Sequence, residues 1–129
     1  MRILIAEDEP LEAEALQRRL EKLGHQVVAS VYDGSTAVAQ AAALGPDLIF
    51  LDLRMPKLDG LTAAERILAT RRVPIILLSG MSDGELRARA VRIGVVAQAV
   101  KPLDQPALER VIAQAMTPAG GPESGASAE

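Results

Sequence analysis

Four short apolar runs in this 129-residue chain each end on a side chain capable of chemistry. Residues 3–6 lead into Glu7 and Asp8, residues 48–51 into Asp52, residues 75–78 into Ser79, and residues 95–100 into Lys101. Brought to one place, these would put three carboxylates, a hydroxyl and an ammonium in a single pocket. Carboxylates packed that closely repel, and they stay ionised only beside a cation. A donor set of oxygens without His or Cys selects a hard ion, and Mg²⁺ favours one or two carboxylates, waters and phosphate oxygens. Lys101 supplies a point charge suited to a phosphate oxygen, and Ser79 a hydroxyl donor. A carboxylate can itself attack phosphorus. The set therefore reads as metal-assisted phosphoryl transfer onto an aspartate. Each residue alone has a plainer account: Asp8 before Pro10 as a turn former, Lys101 before Pro102 as a solvated loop lysine, Ser79-Gly80 as an ordinary turn. Their joint occurrence after four separate runs carries the argument.

Residues at run ends meet only if the runs are parallel neighbours. A fifth run, residues 27–31, completes a set rich in Ile, Leu and Val, as expected of strands covered on both faces. Runs two and five are weaker, one interrupted by small residues and the other by Gln98. Helical stripes alternate with them. Ala13, Leu16, Leu20 and Leu23 form the first, entered at Pro10 and stopped at Gly24. Residues 35–44 form an Ala-rich second, ended by Gly45-Pro46. Leu61, Ala64 and Leu68 mark a third after Asp59-Gly60. Leu86, Ala90 and Ile93 mark a fourth, stopped by Gly94. Leu108, Val111, Ile112 and Ala115 mark a fifth, with Asp104 as N-cap. The order is (βα)₅, which implies an α/β fold with a doubly wound parallel sheet. Strand order 2-1-3-4-5, the flavodoxin-like arrangement, competes with an isolated half of a larger dinucleotide-binding domain. In the former, the switch point lies between strands one and three and sets Asp8 beside Asp52.

Bulk composition narrows the function classes. The length suits one domain. With no cysteine, disulfides, thiolate metal sites and cysteine nucleophiles are excluded. A net charge of −3 and a single Tyr and Phe without Trp argue against direct nucleic-acid binding. No stretch approaches the ~20 apolar residues of a membrane span, and the first apolar run meets Glu7 too soon for a signal peptide. A soluble, cytoplasmic protein is the expectation. No Gly-rich phosphate loop occurs. From Thr117 the chain turns to Pro, Gly, Ser and Ala, so residues 1–116 are expected to form the domain and 117–129 a disordered tail.

The segments RILIAEDEP, DLIFLDLRMPKLDG, PIILLSG and AVKPLD together resemble the receiver domains of bacterial response regulators over residues 2 to about 116. Weaker similarity links AEDEP and RRVPIILLSG to the receivers of RNA-binding antiterminator regulators. The resemblance implies a two-component phosphoacceptor rather than an enzyme. Asp52 would be phosphorylated by a sensor histidine kinase or phosphotransfer protein. Asp8, Asp52 and the backbone carbonyl of Arg54 would bind Mg²⁺, with Glu7 acting through water. The Arg54 side chain would overhang the phosphate. Lys101 and Ser79 would pair with it, and Lys101-Pro102 would be a cis peptide. A homodimer through the fourth helix, fifth strand and fifth helix is a further implication.

One departure stands out. The family commonly has Tyr or Phe three residues before the lysine, as partner of the hydroxyl in the switch, and this chain has Gln98. Coupling then runs by another route, or the switch is weakened, or Gln98 is a plain exposed strand residue. A phosphorylation-independent pseudo-receiver is the alternative that Gln98 supports. A flavodoxin-like ligand-binding protein is a further one, opposed by the negative charges at Glu7, Asp8 and Glu9. Arg87, Arg89 and Arg92 read as a solvated basic face or a contact surface, and His25 as a loop residue.

Overall fold

Ten alternating elements build one sheet with helices on both sides. The computed structural model describes residues 1–80 and 84–117. In chain order these are β1 (Arg2–Ala6), α1 (Pro10–Lys22), β2 (Gln26–Val31), α2 (Gly34–Leu44), β3 (Leu48–Asp52), α3 (Gly60–Leu68), β4 (Ile75–Ser79), α4 (Gly84–Ile93), β5 (Ala97–Val100) and α5 (Gln105–Met116). The strands are parallel and ordered β2-β1-β3-β4-β5, as the flavodoxin-like reading requires.

Alternation along the central strands sorts the core into two layers. Leu4, Ile49, Leu51, Ile75 and Leu77 face α2, α3 and α4, where they meet Ala37, Ala41, Leu61, Ala64, Ile67 and Ala90. Ile3, Ile5, Leu48, Phe50, Ile76 and Leu78 face α1 and α5, against Leu16, Leu20, Leu108, Val111 and Ile112. Both faces of β1 and β3 are therefore covered, which explains why those runs are apolar at every position. The edge strand β2 is only partly buried until Val31, which accounts for its diluted pattern.

Helix ends follow local chemistry. Asp104 caps α5 by accepting from the Ala107 N–H at 2.9 Å, as its position predicts. Asp33 and Asp59 do the same for α2 and α3, accepting from Thr36 and Thr62. Gly24, at φ 91°, closes α1: its N–H reaches the Glu21 carbonyl and that of His25 the Leu20 carbonyl.

The same device corrects the expected span of the fifth strand. The apolar run begins at Val95, yet β5 begins at Ala97. Gly94, at φ 113°, donates to Val91, and Val95 donates to Ala90, so Val95 closes α4 and buries against it instead of entering the ladder. A helix cap and a strand start thus share one apolar run. The tail expected from residue 117 lies outside the described residues, except for Thr117, whose hydroxyl donates to the Ala113 carbonyl. No helix among the described residues is long and apolar enough to cross a membrane.

Candidate functional site

Parallel pairing carries the run ends to one edge of the sheet. Asp52 closes β3 and Ser79 closes β4, while Glu7 and Asp8 leave β1 and Lys101 leaves β5. Two backbone bonds pin the exits: the Glu7 N–H reaches the Val31 carbonyl at 3.0 Å, and the Lys101 N–H reaches the Ser79 carbonyl at 2.7 Å. The Lys101-Pro102 peptide is cis, as expected.

Three acids converge there. Glu7, Asp8 and Asp52 each offer a carboxylate oxygen, all within 4.8 Å of one another. Glu7 is 1 % exposed and Asp52 4 %, so two of the charges sit under the surface. Lys101 bridges them, donating from Nζ to Glu7 Oε1 at 3.0 Å and to Asp52 Oδ2 at 3.1 Å. Its third bond goes to Glu12 Oε1 at 2.9 Å. Glu7 Oε2 accepts from the Glu9 N–H at 3.1 Å, so both Glu7 oxygens are engaged.

Burial and charge pull these groups in opposite directions. Burial raises the Glu7 carboxyl from 4.5 to about 7, against the Glu9 N–H and the Lys101 hydrogen bond, which favour its ionised form, and with the repulsion of Asp52. Burial alone would lower Lys101. Its contacts with Glu12, Glu7 and Asp52 outweigh that and hold the ammonium above its ordinary range. An oxygen-only cluster with two buried carboxylates fits a hard divalent cation such as Mg²⁺. An open cleft above the acids is lined by Asp8, Asp52, Arg54, Ser79, Leu86 and Lys101, among others.

All the site residues named from the sequence except Gln98 lie at this edge. The Arg54 side chain is exposed beside the cleft, in the loop after β3. Gln98 lies within β5, half-buried, and its amide donates to the Arg87 carbonyl of α4 at 3.2 Å. Arg87, Arg89 and Arg92 are all exposed on α4. His25 sits in the loop between α1 and β2, with Nδ1 3.1 Å from the Met1 amino group. Burial and that amino charge lower its pKa.

One participant escapes sequence reading: Glu12, although its place in the first turn of a helix entered at Pro10 marks it as near the β1 exit. Gly60, which the sequence offers as a turn residue and the family resemblance, with Met55-Pro56, as part of the loop after Asp52, also makes a close contact that neither reading discloses. A Cβ on it would collide with the Asp52 carbonyl and lie 2.9 Å from Leu53 Cα, so α3 starts flush against β3.

A family model described as response regulator receiver domain matches residues 3–113. A transcriptional regulatory protein, PdtaR, of Mycobacterium tuberculosis is 41% identical over 101 residues, covering 78% of this chain and 49% of that protein. The present chain thus spans about half that relative's length. A chemotaxis protein, CheY, of Treponema pallidum is 32% identical over 114 residues, covering 85% and 79% of the two chains. Among solved structures, the signal receiver domain of a modulated diguanylate cyclase from Desulfovibrio desulfuricans superposes with a TM-score of 0.80 at 34% identity, covering 89% of this chain and 92% of that one.

Proposed function

The chain belongs to the response regulator receiver domains, and on that premise we propose that Asp52 accepts a phosphoryl group from a phosphohistidine of a sensor kinase or phosphotransfer protein. The observation that carries the reading is the convergence of Glu7, Asp8 and Asp52 within 4.8 Å, with the Lys101 ammonium bonded to two of them.

Asp8, Asp52 and the Arg54 backbone carbonyl would hold Mg²⁺, with Glu7 contributing through a water. The ion supplies positive charge where the transferring group is most anionic. The chain's own residues do the rest. An Asp52 carboxylate oxygen forms the bond to phosphorus as the phosphorus–nitrogen bond of the donor breaks, and the histidine nitrogen keeps the electron pair. Lys101 trades its bond to the Asp52 oxygen for one to a phosphoryl oxygen, since forming the acyl phosphate removes the carboxylate charge it was pairing. The Ser79 hydroxyl, at the end of β4, donates to another. Arg54 overhangs the cleft and limits how water reaches the product. Gln98, standing where an aromatic is usual, ties β5 to α4 through its bond to the Arg87 carbonyl. That bond offers a route from the site to α4, where Val91 is exposed among the arginines, with Val96 and Val100 exposed on and before β5. This face is suited to a partner or to a second copy.

Incubation with acetyl phosphate and Mg²⁺, followed by intact mass measurement, tests the proposal. Wild type gains the mass of one phosphoryl group, Asp52→Ala gains none, and chelation of Mg²⁺ prevents the gain. An unmodified wild-type mass, or equal labelling of Asp52→Ala, would refute it.

A further inference from the structure

We propose that Glu12 is a positioning residue that restrains Lys101 and thereby weakens the site's hold on a phosphoryl group. The inference rests on the reading of Asp52 as phosphoacceptor.

A lysine ammonium has three N–H donors. All three of Lys101's are spoken for, by Glu7 at 3.0 Å, Asp52 at 3.1 Å and Glu12 at 2.9 Å. Glu7 and Asp52 come from strand ends, are buried, and belong to the acidic cluster. Glu12 differs on every count. It stands in the first turn of α1, its side chain is 52% exposed, and it adds no oxygen to that cluster. It contributes a negative charge and a tether from a neighbouring element.

Transfer to Asp52 removes the charge on the Asp52 oxygen and frees one Lys101 donor for the phosphoryl group. The Glu12 bond has no such reason to break. Its carboxylate stays on the ammonium, offsets part of that charge, and holds Lys101 toward α1. Because Glu12 and Asp52 share one nitrogen, the Glu12 charge lies within two hydrogen-bond lengths of the acceptor and repels an arriving phosphate dianion. Solvent at the half-exposed carboxylate screens this repulsion, so the effect is a factor of several.

Glu14 provides the matched control. It lies on the same helix with the same charge, but it pairs with Arg18 at 3.2 Å, four residues along and exposed. Phosphorylation of wild type, Glu12→Gln, Glu12→Ala and Glu14→Gln is followed against acetyl phosphate concentration at saturating Mg²⁺. In both Glu12 variants the half-saturating concentration falls about threefold to tenfold, while the maximal rate stays within about twofold. Glu14→Gln matches wild type. Binding of fluoroberyllate, a phosphoryl mimic, tightens by the same factor in the Glu12 variants alone. An unchanged or increased half-saturating concentration in both Glu12 variants, or an equal fall in Glu14→Gln, overturns the proposal while leaving Asp52 as acceptor. A wild type that takes up no phosphoryl group overturns the functional reading and this inference with it.

Discussion

Raising the pH from 6 to 8 in the absence of metal should destabilise this protein through Glu7. The folded state binds the Glu7 proton more tightly than the unfolded chain does, since burial lifts its pKa from 4.5 to about 7. A raised pKa contributes stability that is fully present below 4.5 and is lost as pH rises through about 7. The full displacement corresponds to about 3 kcal/mol, and the portion lost between pH 6 and 8 to about 1 kcal/mol. Glu7 is 1 % exposed, so solvent screening takes little from this figure. At roughly 4 °C of melting temperature per kcal/mol for a domain of this size, the expected fall is about 4–5 °C. Lys101 adds no slope, being an ammonium throughout the window. His25 opposes the trend, because its lowered pKa makes stability rise with pH near 6.5. Comparison with Glu7→Gln cancels that term. Thermal or urea unfolding of both proteins, in buffer containing a chelator, should show the downward slope in wild type only. With millimolar Mg²⁺ the wild-type slope should flatten, since a cation held by ionised carboxylates opposes their protonation. A wild type that loses no more stability than Glu7→Gln between pH 6 and 8 would refute the reasoning.

Gly60→Ala should cost about 1–3 kcal/mol by overpacking, despite the better helix propensity of alanine, because the new methyl meets the Asp52 carbonyl and the Leu53 Cα. Thermal unfolding measures that loss, and, on the proposal that Asp52 is phosphorylated, slower labelling by acetyl phosphate would report its displacement. Asp104→Ala should cost about 1 kcal/mol by removing the α5 cap to the Ala107 N–H. Calorimetry would show it, with Mg²⁺ affinity unchanged because α5 supplies nothing to the acidic cluster.

What the sequence discloses about this fold follows from where information is local. The runs at 3–6 in β1 and 48–51 in β3 are apolar at every position because both faces are buried, and that pattern needs no neighbours to be recognised. Asp104 and Gly24 act within one turn of their own helices, so their roles are equally visible. The grouping of Glu7, Asp8, Asp52, Ser79 and Lys101 is legible because these residues stand at the ends of the runs and parallel pairing does the rest. Where a residue serves two elements, the reading fails. Val95 looks like the first residue of a strand and is the last contact of a helix. Glu12 looks like a surface acid of an amphipathic helix, and only the fold brings it to a lysine 89 residues away. The Gln98 bond to the Arg87 carbonyl likewise depends on how α4 lies over β5, which no spacing encodes.

The seam beneath the loop between β3 and α3 constrains how this chain can vary. Gly34 opens α2, and a side chain there would occupy the space filled by the main chain and Cβ of Leu58. Gly60, two residues beyond Leu58, abuts the end of β3 in the same manner. The loop thus has two positions packed against it where a Cβ finds no free space, Gly34 against Leu58 and Gly60 against Asp52 and Leu53. Drift at Gly34 cannot be absorbed by trimming Leu58, because the obstruction includes its peptide backbone, and at Gly60 the obstruction is the main chain of Asp52 and Leu53 alone. Homologues that replace Gly34 are therefore expected to carry a rebuilt loop between β3 and α3, with the two regions inherited as one block.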